Sequence, residues 1–296
     1  THENSSAASD VYKRQVVCAV EGIMPQTETV IRQALKEKVK PVLFINKVDR
    51  LIAELQVTPE DMMQRFGKII TEVNKLIVRM VPEEFKKEWM VDAQAGTVAF
   101  GSAYHNWATS LPFMAKKNVN FKQIYEFMEK EQRRELAQAA PLHEVLLDMI
   151  VEKLPSADAA QKYRIPHIWR GESEEDIGQA MVNANADGDS AFMVTKVVLD
   201  PHAGEIAVGR LFSGTIKKGD QMYVAGMPNA NRVQSVGMFV GGDRIATENV
   251  TAGNIIAVSG LRDAQSGSTI SSNKDMTPFE RIVHNSDPVV TTAIEA

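Results

Sequence analysis

The chain is nearly devoid of cysteine: Cys18 stands alone among 296 residues. One thiol cannot build an internal disulfide framework, and such usage suits a reducing, cytoplasmic setting, which is where the chain is expected. The six histidines are dispersed and give no metal-ligand spacing with that cysteine, so no metal site is expected in these residues. Long apolar runs are missing too. The longest, such as residues 16–20, are strand-sized, and the polar start lacks the apolar centre of a signal peptide, so no membrane partner is expected. Positive charge is not in excess. Lys and Arg number 33 against 38 Asp and Glu, a net charge of −5, and residues 172–288 hold 9 basic against 15 acidic groups, a net of −6. DNA is therefore not an expected partner, and any RNA-binding patch must be local.

A phosphate-cradling loop of the form Gly-x-x-x-x-Gly-Lys-[Ser/Thr] is absent as well. The nearest spacing, Gly209 to Gly214, continues into Thr215 and reads as a barrel turn. No Asp-x-x-Gly segment precedes Val16 to hold magnesium and an attacking water. Ser102, His105 and Asp92 do not make a hydrolase triad, since no nucleophile elbow surrounds the serine, and His105 reads as a loop residue.

What is present is an ordinary globular composition, 44% hydrophobic and 24% charged, in a length that suits two domains with full cores. Both ends read as cut. Residues 1–15 are polar and aperiodic, and the chain then enters Val16-Val17-Cys18-Ala19-Val20 without a turn, like a buried strand whose beginning is missing. Asp10-Val11-Tyr12-Lys13-Arg14-Gln15 is also what translation of a common transposon sequencing adapter yields, so residues 1–15 are expected to be a non-native or disordered tail. Residues 288–296 read as the start of a further, truncated domain.

Between these ends the first half alternates strand and helix signals. A helix is expected from about Thr27, with Val30, Ile31, Ala34 and Leu35 on one face, and then a strand over 41–45, apolar at every position. Strand, helix, strand implies a right-handed crossover and a parallel sheet. Thr58, Pro59 and Asp61 have the order of an N-cap, a first helical proline and a capping-box acid. Met62, Phe66, Ile69, Val73, Leu76 and Met80 follow as one core-facing stripe, which Pro82 ends. A short strand over 97–100 and helices from about Asn120 and over 141–154 complete this half, with the charged stretch 129–135 expected as a solvated helix face. The boundary falls near Pro155 to Gly171. Beyond it come short β-rich runs (191–199, 205–212, 221–224, 232–239, 254–258) separated by Gly, Asp and Pro turns, a spacing that suggests a closed or nearly closed antiparallel barrel.

The chemistry concentrates at Asn46-Lys47-Val48-Asp49, directly after the buried strand. Ligands of doubly wound parallel sheets bind beyond the carboxyl ends of the strands, which is where this tetrapeptide sits. A carboxylate there can accept two parallel hydrogen bonds, from the ring N–H and the exocyclic amine of guanine. Adenine offers neither in that arrangement. The Asn46 amide can meet the other edge of the base and brace the loop, and the Lys47 stem can lie across the ring. Gly101-Ser102-Ala103 follows the 97–100 strand as a small-residue turn whose N–H groups can face the guanine carbonyl. Alone it is a worthless signal; beside Asn46 and Asp49 it is the expected second guanine loop.

These segments together resemble the translational GTPases, and within them the archaeal and eukaryotic elongation factor 2 branch. The residues that carry the resemblance are Glu21-Gly22-Ile23-Met24-Pro25-Gln26-Thr27, Asn46-Lys47-Val48-Asp49-Arg50, Gly101-Ser102-Ala103-Tyr104 and two barrel signatures. The latter are Gly204-Glu205-Ile206-Ala207-Val208-Gly209-Arg210-Leu211-Phe212-Ser213-Gly214 and Ala252-Gly253-Asn254-Ile255-Ile256-Ala257-Val258-Ser259-Gly260-Leu261. The resemblance implies an α/β fold, an incomplete doubly wound G domain of the phosphate-loop type over 16–170, followed by an all-β translation-factor barrel over 171–287. It implies GTP or GDP as ligand, with guanine held by Asn46, Lys47, Asp49, Ser102 and Ala103. A full-length member would also bind magnesium, whose ligands are not in this chain. It would act as a monomer on the ribosome, meeting rRNA and ribosomal proteins, and would use GTP hydrolysis to drive translocation of tRNA and mRNA. The phosphate loop, switch segments and water-orienting histidine have no counterpart here, so this chain alone is expected to be inactive and to hold no catalytic residue. Two alternatives stay open: another ribosome-associated GTPase, of termination or ribosome-protection type, and a non-catalytic guanine-nucleotide-binding partner of the ribosome.

Overall fold

In the computed structural model, which describes residues 12–117, 121–200 and 204–280 and only the backbone of 12–14, the chain divides into two units, Tyr12–Pro155 and a second that begins at Ser156. In the first, β1 (Tyr12–Cys18) leads through α1 (Pro25–Lys36) to β2 (Lys40–Asn46). Three helices, α2 (Val48–Ala53), α3 (Pro59–Met80) and α4 (Glu83–Trp89), then connect β2 to β3 (Val98–Ser102). β4 (Trp107–Thr109) turns back antiparallel to β3, while β1, β2 and β3 are parallel neighbours. Four more helices follow: α5 (Leu111–Lys117), α6 (Phe121–Glu129), α7 (Arg133–Ala139) and α8 (Leu142–Lys153).

The uninterrupted apolar run explains the place of β2: with a strand on either side and both faces covered, Val42, Leu43 and Ile45 are fully buried. α3 is set by its start. The Thr58 hydroxyl accepts from the Asp61 N–H at 3.2 Å and donates to the Asp61 carboxylate at 2.9 Å, and Pro59 fills the first helical position, where no N–H is needed. Its stripe of Met62, Phe66, Ile69, Val73 and Leu76 is buried, and Phe66 lies with its ring centre 4.7 Å from that of Phe100, on β3. Each such side chain withdrawn from water contributes about 1.5–3 kcal/mol.

Three sequence expectations change here. Residues 12–15, assigned to a tail, are paired in β1 with residues 40–43. Parallel ladders are made by main-chain groups and need no apolar side chain, so the polar Tyr-Lys-Arg-Gln stretch hid the strand. The charged stretch 129–135 is not one helix face, because Glu131 takes a φ of 56° and breaks the chain between α6 and α7. The division at 170/171 moves to Ser156, the near edge of the window bounded by Pro155 and Gly171. α9 (Ala157–Ile168) and α10 (Asp176–Val182) bury Ile165, Trp169 and Met181 in one cluster with Phe212 and Phe279 of the β-rich region. The Gln161 side-chain amide donates to the Met181 and Phe212 carbonyls and ties the same parts together.

The second unit then runs through β5 (Ala191–Asp200), β6 (Gly204–Ser213), β7 (Thr215–Lys217), β8 (Gln221–Val224), β9 (Ala230–Arg232), β10 (Ser235–Val240), β11 (Asp243–Thr247), β12 (Asn249–Thr251), β13 (Ile255–Ser259) and β14 (Thr269–Ser271). They form an eight-stranded antiparallel sheet in the order β11-β10-β13-β6-β5-β14-β8-β9 and a two-stranded ribbon of β12 and β7. Phe192, Leu211, Met222, Val236 and Ile256 from the sheet share one core with Ile216 and Val250 from the ribbon, which makes the whole barrel-like. Gly209 lies inside β6 and not in a turn. It faces an irregularity in β5 between Val194 and Lys196, where a Cβ would come 1.9 Å from the Met193 carbonyl oxygen, a gap only glycine leaves. Among the described residues no helix is long and apolar enough to cross a membrane.

Candidate functional site

Because β2 and β3 are parallel neighbours, their carboxyl ends open on the same side of the sheet. At the end of β2 the chain must turn from strand into α2 without a linker. Lys47 does this in the left-handed conformation, φ 64°, a geometry that costs a non-glycine residue about 1–2 kcal/mol. The turn sets Asp49 in the first turn of α2. Asn46 binds the two strand exits to each other: its Oδ1 accepts from its neighbour Lys47 N–H at 2.8 Å and from Ala103 N–H at 2.9 Å. Among the described residues the Asn46 Nδ2 amine has no acceptor, which leaves it able to serve a ligand.

The second loop is the tight connection between β3 and β4. Gly101 is required there by the strand beside it, since a Cβ would lie 2.3 Å from the Trp107 carbonyl oxygen. That closeness, and not open access to a ligand, is its reason for being glycine. Ser102 is buried, and its Oγ accepts from the His105 N–H at 3.2 Å, which folds the loop back on itself. His105 Nε2 thereby comes to 3.6 Å from Asp49 Oδ2, with the two side chains only 16% and 15% exposed. The other carboxylate oxygen, Asp49 Oδ1, is buried and has no hydrogen-bond partner among the described residues. An unpartnered buried acceptor of this kind costs at least about 1–3 kcal/mol until a donor reaches it.

These groups line a cleft of about 520 Å³ that Asn46, Lys47, Asp49, Ser102, Tyr104 and His105 share with Arg50, Glu54, Met128 and Arg133. The residues singled out in the sequence thus come together, with Ala103 engaged at its edge by Asn46. At the rim, Arg50 and Glu54 form an ion pair of 2.8 Å, and the hydrogen bond and charge of Glu54 hold the Arg50 guanidinium above its ordinary pKa. Asp92 is not part of the cleft: its N–H and carboxylate are used in the turn that leads into β3, at the strand's other end. Sequence reasoning missed His105, Met128 and Arg133. Nothing in the spacing could have found them, because each joins the cleft lining only once the sheet and helices have formed.

The free carboxylate oxygen of Asp49 leaves the cleft able to accept hydrogen bonds from the donors of a ligand. No cluster of three or more His, Cys, Asp or Glu occurs among the described residues.

Comparison with known proteins bears on the family of the chain. Residues 3–156 match the model of the Elongation factor Tu GTP binding domain, and residues 204–271 match Elongation factor Tu domain 2. Elongation factor 2 of Picrophilus torridus is 58% identical over 281 residues, that of Thermococcus gammatolerans 57% over 281, and that of Methanocaldococcus jannaschii 55% over 282. Each similarity takes in 95% of this chain but only 38%, 38% and 39% of the respective relative, so the chain spans about two fifths of their length. Since the first of these matches covers more than half of the residues and falls on the unit that holds the cleft, the chain belongs to the Elongation factor Tu-type GTP-binding family, the translational GTPases.

Proposed function

We propose that the cleft reads the guanine base of GTP or GDP, and that the protein carrying this chain is an elongation factor 2-type translocase. The observation that carries the base-reading role is the buried, unpartnered Asp49 Oδ1. In this reading the Asp49 carboxylate accepts from both guanine donors. The Asn46 amine meets the opposite edge of the base, and the Lys47 stem lies along the ring. Ser102 and Ala103 shape the loop that faces the guanine carbonyl. The Ala103 N–H, which already reaches Asn46 Oδ1, is shared between that oxygen and the ligand's as a three-centre bond. The identity to three elongation factor 2 proteins supports the wider role. In it, the full-length protein works on the ribosome in the cytoplasm, and GTP hydrolysis with magnesium moves tRNA and mRNA.

The test of base reading is Asp49→Asn in the full-length protein. Loss of a hydrogen bond to a charged group is worth about 1.5–3 kcal/mol, so affinity for GDP falls roughly ten- to a hundred-fold. Xanthosine diphosphate, which carries a carbonyl where guanine has its amine, becomes the better ligand. An unchanged preference for GDP removes Asp49 from the role. Because the 296 residues hold no phosphate loop, the purified chain by itself releases no phosphate from GTP above background. Magnesium-dependent turnover by that polypeptide would refute this part.

A further inference from the structure

We propose that His105 is a positioning residue that makes guanine recognition by Asp49 depend on a proton, an inference that rests on the base-reading role given to Asp49 above. The 3.6 Å between His105 Nε2 and Asp49 Oδ2 is too long for a hydrogen bond from a neutral imidazole but lies within ion-pair distance for a charged one. The loop that carries the imidazole is folded back by the His105 main-chain N–H, which donates to Ser102 Oγ at 3.2 Å, and the Tyr104 ring stands edge-on to the imidazole with centres 4.8 Å apart. His105 touches only the Oδ2 side of the carboxylate, while Oδ1 is the atom left buried and unpartnered.

The sign of the effect follows from the acceptor capacity of a carboxylate. It offers about four lone-pair sites, so an imidazolium can occupy one site on Oδ2 while both oxygens still face the two guanine donors. Protonation therefore pins the Asp49 carboxylate in the plane the base needs without competing for it, and a second positive charge near the ligand does not oppose a nucleotide. The other charged or titratable groups that line the cleft around His105 are Lys47, Asp49, Arg50 and Glu54 from the β2–α2 connection, Tyr104 from its own loop, and Arg133 from α7. Among these side-chain types only the imidazole changes charge between pH 6 and 8.

The experiment measures the ratio of the dissociation constants of inosine diphosphate and GDP in the full-length protein at pH 6 and pH 8. Inosine lacks the exocyclic amine, so the ratio isolates the contact to Asp49, and the shared diphosphate cancels the effect of pH on the phosphates. The ratio is expected to be about three-fold larger at pH 6, the size of a partly exposed ion pair. His105→Gln, which carries no titratable group, gives the same ratio at both pH values. His105→Ala is equally flat, with a ratio close to that of the unaltered protein at pH 8, where the neutral imidazole makes no bond to Asp49. A slope that survives in H105Q, or a flat profile in the unaltered protein, overturns the inference. Asp49→Asn keeps the two readings apart: if it brings no preference for xanthosine diphosphate, base reading itself has failed. If it does while the H105Q slope persists, only the role of His105 falls.

Discussion

The α/β unit and the β-rich unit fill space by different means. In the first, helices with one apolar stripe lie on a sheet whose middle strand is apolar throughout, and side chains meet side chains, as Phe66 meets Phe100. In the second, backbone meets backbone. A Cβ on Gly209 would lie 1.9 Å from the Met193 carbonyl oxygen, and one on Gly237 would lie 2.3 Å from that of Ile245. The comparable approach in the first unit, at Gly101, sits beside the cleft. The first unit should thus be sensitive to volume removed and the second to volume added.

Three substitutions probe that contrast, each read by denaturant unfolding of the purified chain. Phe66→Ala has the largest effect. It empties a site between Phe100 and Phe121 and destabilises the α/β unit by about 3–5 kcal/mol. Gly209→Ala adds one methyl group where a carbonyl already stands and destabilises the β-rich unit by about 1–3 kcal/mol, through forced separation of β5 and β6. The smallest effect has the opposite sign. Gly67 lies in the interior of α3 with nothing within 4 Å of its would-be Cβ, so Gly67→Ala stabilises by about 0.5–1 kcal/mol. If Gly209→Ala were as harmless as Gly67→Ala, the backbone packing assigned to the β-rich unit would be wrong.

The same contrast explains what could be read from the sequence. β2 and α3 were legible because burial on both faces writes an unbroken apolar run, and burial on one helix face writes a stripe with a cap before it. The guanine-type tetrapeptide was legible because it directly follows that run. β1 was legible only from Val16, since its first residues pair through main-chain groups and carry no apolar run. α9 was hidden for the reverse reason: it has a proline inside it and buries Gln161 and Arg164, so no apolar face marks it. In the β-rich unit β5, β6, β8, β10 and β13 followed the expected runs within a few residues, whereas β11 matched none of them. The three-residue strands β7, β9, β12 and β14 are too short to show an alternation. His105 was read as a loop residue, which it is; its approach to Asp49 depends on the hairpin that Gly101 permits.

The oxygen of Asn46 has one more consequence. It joins two loops whose residues are 57 positions apart in the chain, so neither strand exit can shift while the other stays without losing that bond. The floor of the cleft is for this reason a single mechanical part. A disturbance that enters through the helices after β2 reaches the turn after β3 by way of one side-chain amide, and a substitution that removes the Asn46 oxygen would loosen both walls.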